Sequence, residues 1–328
     1  MTQNTICSIL GLNPVQILEK DFPLCKRVEQ FLETPRLQTK WKEYQQTMPA
    51  IIQGTNARLG FELEVENILN LKQLPPLWEA VPDNSLRNYG TEFRSCPLPT
   101  QYIEKALFFL HEGLSFDALH PPSFSWRVST HIHSNMQDLS VERFLFHLRL
   151  YIVFEPLFYY FAGTDRRTSN FCVPLEETGL DNLLSSVFSS NSPKNFLSLY
   201  QKWPKYSGLS LFRLCDYGTV EFRHFPGAAT PALLVMWINL IINLYHAAET
   251  LNIEQTDDIL RELYTSKKYK HFFFLIMKKG IPYSPKNEAL LEQGARFIRH
   301  CFSPIPKLEN LCPTGKTRLL RYLKKRKP

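Results

Sequence analysis

The feature that most constrains this chain is a period of two. From Leu59 to Val65 apolar and acidic residues alternate, with Phe61, Leu63 and Val65 on one side and Glu62, Glu64 and Glu66 on the other. Successive side chains of a strand point to opposite faces, so this segment predicts a strand with one apolar and one acidic face. The pattern returns three times. Tyr89–Ser95 contains Thr91-Glu92-Phe93-Arg94. Ser125–Ser134 sets Trp126, Val128, Thr130 and Ile132 against Arg127, Ser129, His131 and His133. Leu209–Leu214 and Gly218–His224 predict a hairpin around Asp216, Tyr217 and Gly218, whose second arm carries Glu221 and Arg223 on one face.

Between and after these strands the period becomes helical. Leu24, Val28, Phe31 and Leu32, then Trp41 and Tyr44, predict a helical lead over residues 1–55. Tyr102–His111 reads as a helix, and Val141–Phe161 as a long, buried one. Pro75, Pro76 and Pro82 read as breaks after the first strand, and the Ser-rich stretch Ser185–Ser192 as a loop or flap. Beyond Thr230 the chain reads as helical to its end. Strands with polar faces, interleaved with and followed by helices, predict an α+β fold with a mainly antiparallel sheet. The domain reading is a helical lead over 1–55, a catalytic domain over 56–250, and a helical extension with a basic tail over 251–328.

Charge narrows the function. The chain has 38 Lys and Arg against 31 Asp and Glu, a net charge of +7. After Glu309 there is no acidic residue, and seven cations follow: Lys316, Arg318, Arg321, Lys324, Lys325, Arg326 and Lys327. The body is therefore charge-balanced, and nucleic acid is a partner only through the tail. Leu319, Leu320, Tyr322 and Leu323 interleave with those cations, which allows a short amphipathic basic helix. Seven cysteines without a CxxC spacing point to reduced thiols and a cytoplasmic setting. Phe225–Ala248 has no Lys, Arg, Asp or Glu, but Asn239 and Asn243 lie on one helical face. In lipid those amides would go unsatisfied, so the run reads as a core helix and not a membrane span.

The polar strand faces carry the chemistry. Glu62 with Glu64, Glu92, His131 with His133, and Glu221 with Arg223 each project to one side of a strand. Any one of them alone is a strand with a solvated face. If the four sides coincide, the carboxylates repel and need a cation to neutralise them. Carboxylate and water ligands suit Mg²⁺ or Mn²⁺, and Mn²⁺ admits an imidazole. A His pair with one carboxylate leaves a second chemistry open, a Zn²⁺ or Fe²⁺ hydrolase. There is no phosphate-binding glycine loop: Gly315-Lys316-Thr317 has Asn310 where the earlier glycine belongs.

The order Gly60-x-Glu62-x-Glu64, Asp83-x-Ser85-Leu86 with Glu92 and Ser95, His131-x-His133, Arg166-Arg167 before Asn170-Phe171-Cys172, Lys205-Tyr206 before Leu209, and Thr219-x-Glu221-x-Arg223 resembles the amidoligases. These are carboxylate–amine ligases with a glutamine-synthetase-like catalytic fold, related to glutamate–cysteine ligases. The resemblance implies ATP-dependent formation of an amide or isopeptide bond through an acyl phosphate, with Mg²⁺ or Mn²⁺ on the sheet. It implies Glu62, Glu64, Glu92, His131 and Glu221 as metal ligands and His133 near the nucleotide. By the same resemblance Arg223 neutralises the transferring phosphoryl group, and Arg166, Arg167 and Lys205 bind phosphate or substrate carboxylate. The implied partners are a small or peptide carboxylate and an amine.

Overall fold

A computed structural model describes residues 6, 35–67, 77–87, 90–114, 125, 127–190, 193–227, 231–277 and 281–302. Its strands are β1 (Arg58–Val65), β2 (Trp78–Pro82), β3 (Thr91–Ser95), β4 (Leu98–Pro99), β5 (Ser129–Asn135), β6 (Leu209–Ser210) and β7 (Thr219–Pro226). They form one sheet in the order β2-β3-β1-β5-β7-β6, with β4 also beside β1. Every pairing is antiparallel. The fold is α+β with an open antiparallel sheet, as the alternation predicts.

The helices are α1 (Pro35–Thr47), α2 (Thr100–Leu114), α3 (Val141–Ala162), α4 (Thr164–Arg167), α5 (Asp181–Ser190), α6 (Pro193–Lys202), α7 (Leu214–Tyr217), α8 (Pro231–Thr250), α9 (Ile253–Ser266), α10 (Tyr269–Ile276) and α11 (Pro285–Phe302). The sheet lays one face on them. Leu59, Phe61, Val65, Phe93, Ile132 and Phe222 are buried there with apolar side chains of α2, α3 and α8. Phe158 of α3 stacks on Phe222 at 5.4 Å and meets Trp237 of α8 edge-on at 4.9 Å. Such ring pairs add about 0.5–1.5 kcal/mol each beyond their buried area.

Helix α3 is the spine. Ser140 caps its N-terminus by accepting from the Arg143 N–H at 3.3 Å. Its own Arg143 donates to the carbonyls of Ala248, at 2.8 Å, and Leu251, so it closes the C-terminus of α8. The stretch Ala232–Thr250 of α8 is long and apolar enough to cross a membrane, yet 67% of its most apolar window is buried in the fold. Its Asn239 amide accepts from Ile52 N–H and donates to Ala50 O, both at 2.9 Å. The amide thus finds main-chain partners, as a core helix requires.

Three sequence expectations need correction. Trp78–Pro82 is a strand where the prolines read as a break; it lies on the sheet edge, where a terminal proline costs no ladder bond. Ser185–Ser190 belongs to α5, because Leu184, Val187 and Phe188 fall at helical spacing and are buried. Between β6 and β7 the hairpin arm is shorter than read, and the turn of helix α7 fills the connection. Leu24 to Leu32 and the basic tail lie outside the described residues. Of the lead, Trp41 and Tyr44 of α1 pack their rings on Phe108 of α2 at 5.2 and 5.4 Å. Cys172, Cys215 and Cys301 are free thiols.

Two features of α3 give tests. Helix α11 crosses it so closely at Gly294 that a Cβ there would run into the Val153 carbonyl. Gly294→Ala is expected to lower stability by about 1–3 kcal/mol, read as a lower urea midpoint, because backbone cannot yield as a side chain does. Second, Glu155 is a buried carboxyl inside the apolar spine. It accepts from Tyr151 Oη at 2.8 Å and from Leu175 N–H at 3.0 and 3.1 Å, and burial pushes its pKa up to about 8. The folded state then keeps a proton that the unfolded chain has lost, so this group's contribution to stability falls as pH rises from about 4.5 to about 8. Glu155→Gln keeps an acceptor without that proton. Its melting temperature, measured relative to wild type, is expected to climb between pH 5 and pH 8; a constant difference would show that no proton is held there.

Candidate functional site

The face of the sheet turned away from the helices assembles the polar residues, and the register explains how. Glu62 of β1 lies between Arg94 on β3 and His131 on β5. Glu64 lies opposite Glu92. Gly60 lies opposite His133, and His133 opposite Glu221 of β7. All of these positions share the parity of Glu62, so four strands deliver their unusual residues to one surface. This face is not a solvated one: Glu64, Glu92, His131 and Glu221 are each 4–8% exposed.

Two groups of ligand atoms gather there, each with its atoms within 4.8 Å of one another. The first is Glu62, His133 and Glu221; the second is Glu64, Asp83 and Glu92. In the first, Glu62 faces both imidazoles, His131 Nδ1 and His133 Nε2, at 3.2 Å each. His131 Nδ1 also lies 3.1 Å from Glu221, and its Nε2 is 2.8 Å from Ser129 Oγ. His131 therefore braces the two carboxylates, while His133 completes the three-atom group. In the second, Ser129 donates to Glu64 from its N–H at 2.7 Å and from its hydroxyl at 2.8 Å. Arg94 pairs with Glu92. Asp83 sits just after β2 and accepts from Ser85 N–H at 2.8 Å. It stands in the motif order but not among the metal ligands that the resemblance implies, because it comes from a loop and no strand parity marks it.

The electrostatics follow from crowding. Burial works against the Glu62 charge, but the bonds and charges of His131 and His133 outweigh it and hold this carboxyl well below the usual range. Burial would lower His133, yet its bond to Glu62 and the charges of Glu62 and Glu221 raise it. Glu92 is pushed up by burial and by the Glu62 charge, against the pull of Arg94. Among the described residues, one arginine, Arg94, is paired with a carboxylate of the second group, and the remaining negative charge is what a divalent cation would neutralise. The donors are mainly hard carboxylate oxygens with one imidazole, so the residues present fit Mg²⁺ or Mn²⁺ better than a sulfur- or nitrogen-seeking metal.

The cations divide. Arg223 is on the site face: it pairs with Glu221, and its Nε donates to Phe171 O at 3.3 Å. Arg166 is buried, and spends its guanidinium on main chain, donating from Nε to His224 O at 2.9 Å and from Nη2 to Arg223 O. These carbonyls lie where the β5–β7 register shifts, between the pairs Ile132–Phe222 and Thr130–Phe225. Alternation sends Glu221 and Arg223 to the site and the His224 ring into the core, 5.2 Å from Phe158 and 5.3 Å from Trp237, and the irregularity then returns Phe225 to the core as well, 5.1 Å from Trp237. Arg167 is not brought to the carboxylates; it pairs with Glu176 and lies over the Tyr159 ring at 5.8 Å. Lys205 is exposed at the margin, 5.4 Å from the Tyr206 ring and 5.6 Å from Phe212. Seven of the sequence candidates thus share the face: Glu62, Glu64, Glu92, His131, His133, Glu221 and Arg223.

Residues 122–245 match the model of a family described as "Putative amidoligase enzyme". The matched span contains His131, His133, Arg166, Arg167, Lys205, Glu221 and Arg223, while β1, Asp83 and Glu92 precede it. No curated protein matches the chain. The family's description suggests a ligase-type enzyme. The match over residues 122–245 supports an amidoligase family assignment for this chain.

Proposed function

We propose that the protein is an ATP- and divalent-metal-dependent ligase that joins a carboxylate to an amine, on a sheet of the glutamine-synthetase-like kind. The observation that carries this reading is the convergence of two carboxylate-rich groups, Glu62–His133–Glu221 and Glu64–Asp83–Glu92, on one face of an antiparallel sheet. The family match supports the ligase class.

In this reading Glu62, His133 and Glu221 would hold one Mg²⁺ or Mn²⁺ and Glu64, Asp83 and Glu92 another, which would supply positive charge against the triphosphate and the transferred phosphoryl group. The chain's own residues do the rest. His131 keeps Glu62 and Glu221 at a fixed separation through its Nδ1. Ser129 orients Glu64 with two donors. Arg223, already directed along the face by Glu221 and Phe171 O, offers its charge where phosphoryl charge develops. Arg166 positions that strand through its two carbonyls and does not itself reach the face. The substrate carboxylate attacks the γ-phosphorus, ADP leaves, and the amine then displaces phosphate from the acyl phosphate to form the amide. A hydrolase reading of His131 and His133 is less supported, because both groups are richer in carboxylate than in imidazole.

Glu221→Gln and Asp83→Asn are expected to weaken Mn²⁺ binding by at least about tenfold in calorimetric titration, each through a different group. Metal-dependent ADP release from ATP in a screen of carboxylates and amines should fall with them. Stoichiometric zinc in the purified protein, with ADP release unchanged in Glu221→Gln, would contradict the reading.

A further inference from the structure

Five large apolar side chains among the described residues are about half exposed, and three of them, Phe171, Phe212 and Tyr217, stand together at the β6–β7 end of the site. Scattered exposed rings need no explanation. These are joined by cations. Arg223 lies 5.9 Å from the Tyr206 ring, which Phe171 meets edge-on at 5.7 Å. Lys205 lies over Tyr206 and Phe212, and Arg213 lies 5.6 Å from both Phe212 and Tyr217. Pairwise contacts thus link Glu221 through Arg223, Tyr206, Lys205, Phe212 and Arg213 to Tyr217.

The charge of this rim is available to a ligand. Lys205 has no carboxylate partner among the described residues, and Arg213 has only Asp216 at 3.8 Å, with both side chains exposed. An exposed pair at that distance contributes little. Flat exposed rings flanked by unspent cations, continuous with a place for metal and triphosphate, complement a ligand that carries a planar ring next to negative charge.

We propose that this rim is the base-binding part of the nucleotide site: the base stacks on Phe212 and Tyr217, and Lys205 and Arg213 meet the phosphates nearer the ribose. The proposal rests on the ATP reading above and adds where the nucleoside lies. It also gives Lys205 a place at the margin and not among the carboxylates.

The test compares ATP with inorganic tripolyphosphate, which keeps the phosphates and has no base, both with saturating Mn²⁺ on the full chain. Wild type is expected to bind ATP about tenfold or more tightly than tripolyphosphate, the size that stacking supplies. Phe212→Ala/Tyr217→Ala should lose that preference while its tripolyphosphate affinity stays within about twofold. Both rings are half exposed, and an unchanged unfolding midpoint checks that the variant is folded. Lys205→Ala should weaken both ligands. If the double variant keeps the ATP preference, or wild type binds both ligands equally, the rim is not the base site, although the triphosphate reading survives. If wild type binds neither, the ATP reading falls and this proposal with it.

Discussion

The structure is organised around buried carboxylates that share one sheet face. Glu64, Glu92 and Glu221 are almost fully covered, and Glu62 stands among them. Carboxylates so placed repel and lose their hydration, which is tolerated only where donors and cations answer them. Ser129, His131, His133, Arg94 and Arg223 do so in part. The opposite face, packed on α3 and α8, supplies the apolar burial that holds this arrangement in place. A face of this kind is costly for stability alone, which is why it reads as a functional surface.

Strand β7 links that surface to the core. On one side it offers Glu221 and Arg223; on the other, His224 bonds Tyr151, which bonds Glu155 in the spine. Arg166 holds the carbonyls of residues 223 and 224 from the short helix that follows α3. The guanidinium that the sequence resemblance assigned to phosphate or substrate thus acts on the backbone. Its place next to the functional strand is as the motif order implies, but its chemistry is that of a clamp.

The strands and the sharing of one face were legible because period-two alternation is a direct consequence of strand geometry. Glu62, His131, His133, Glu221 and Arg223 carry that signal in their own spacing. Asp83 does not, since a loop delivers it and only the folded chain shows what it meets. Arg166 and Arg167 are adjacent in sequence and similar in chemistry; their separate fates, main-chain carbonyls for one and Glu176 for the other, depend on tertiary contacts that spacing does not encode. The edge strand β2 was hidden by prolines whose effect depends on whether the strand has a second neighbour. The rim of Phe171, Tyr206, Phe212 and Tyr217 has no periodicity, because it is drawn from separate loops and the short helix α7.

The proposed nucleotide-dependent ligase function requires a metal ion at each of the two carboxylate groups. Its most direct test is a crystal structure of the protein with Mn²⁺ and a non-hydrolysable ATP analogue, read by anomalous scattering at the manganese edge. One manganese is expected to be bound by Glu62, His133 and Glu221 and another by Glu64, Asp83 and Glu92, with the triphosphate between them and Arg223. Manganese absent from both groups, or the nucleotide bound away from this face of the sheet, would contradict it.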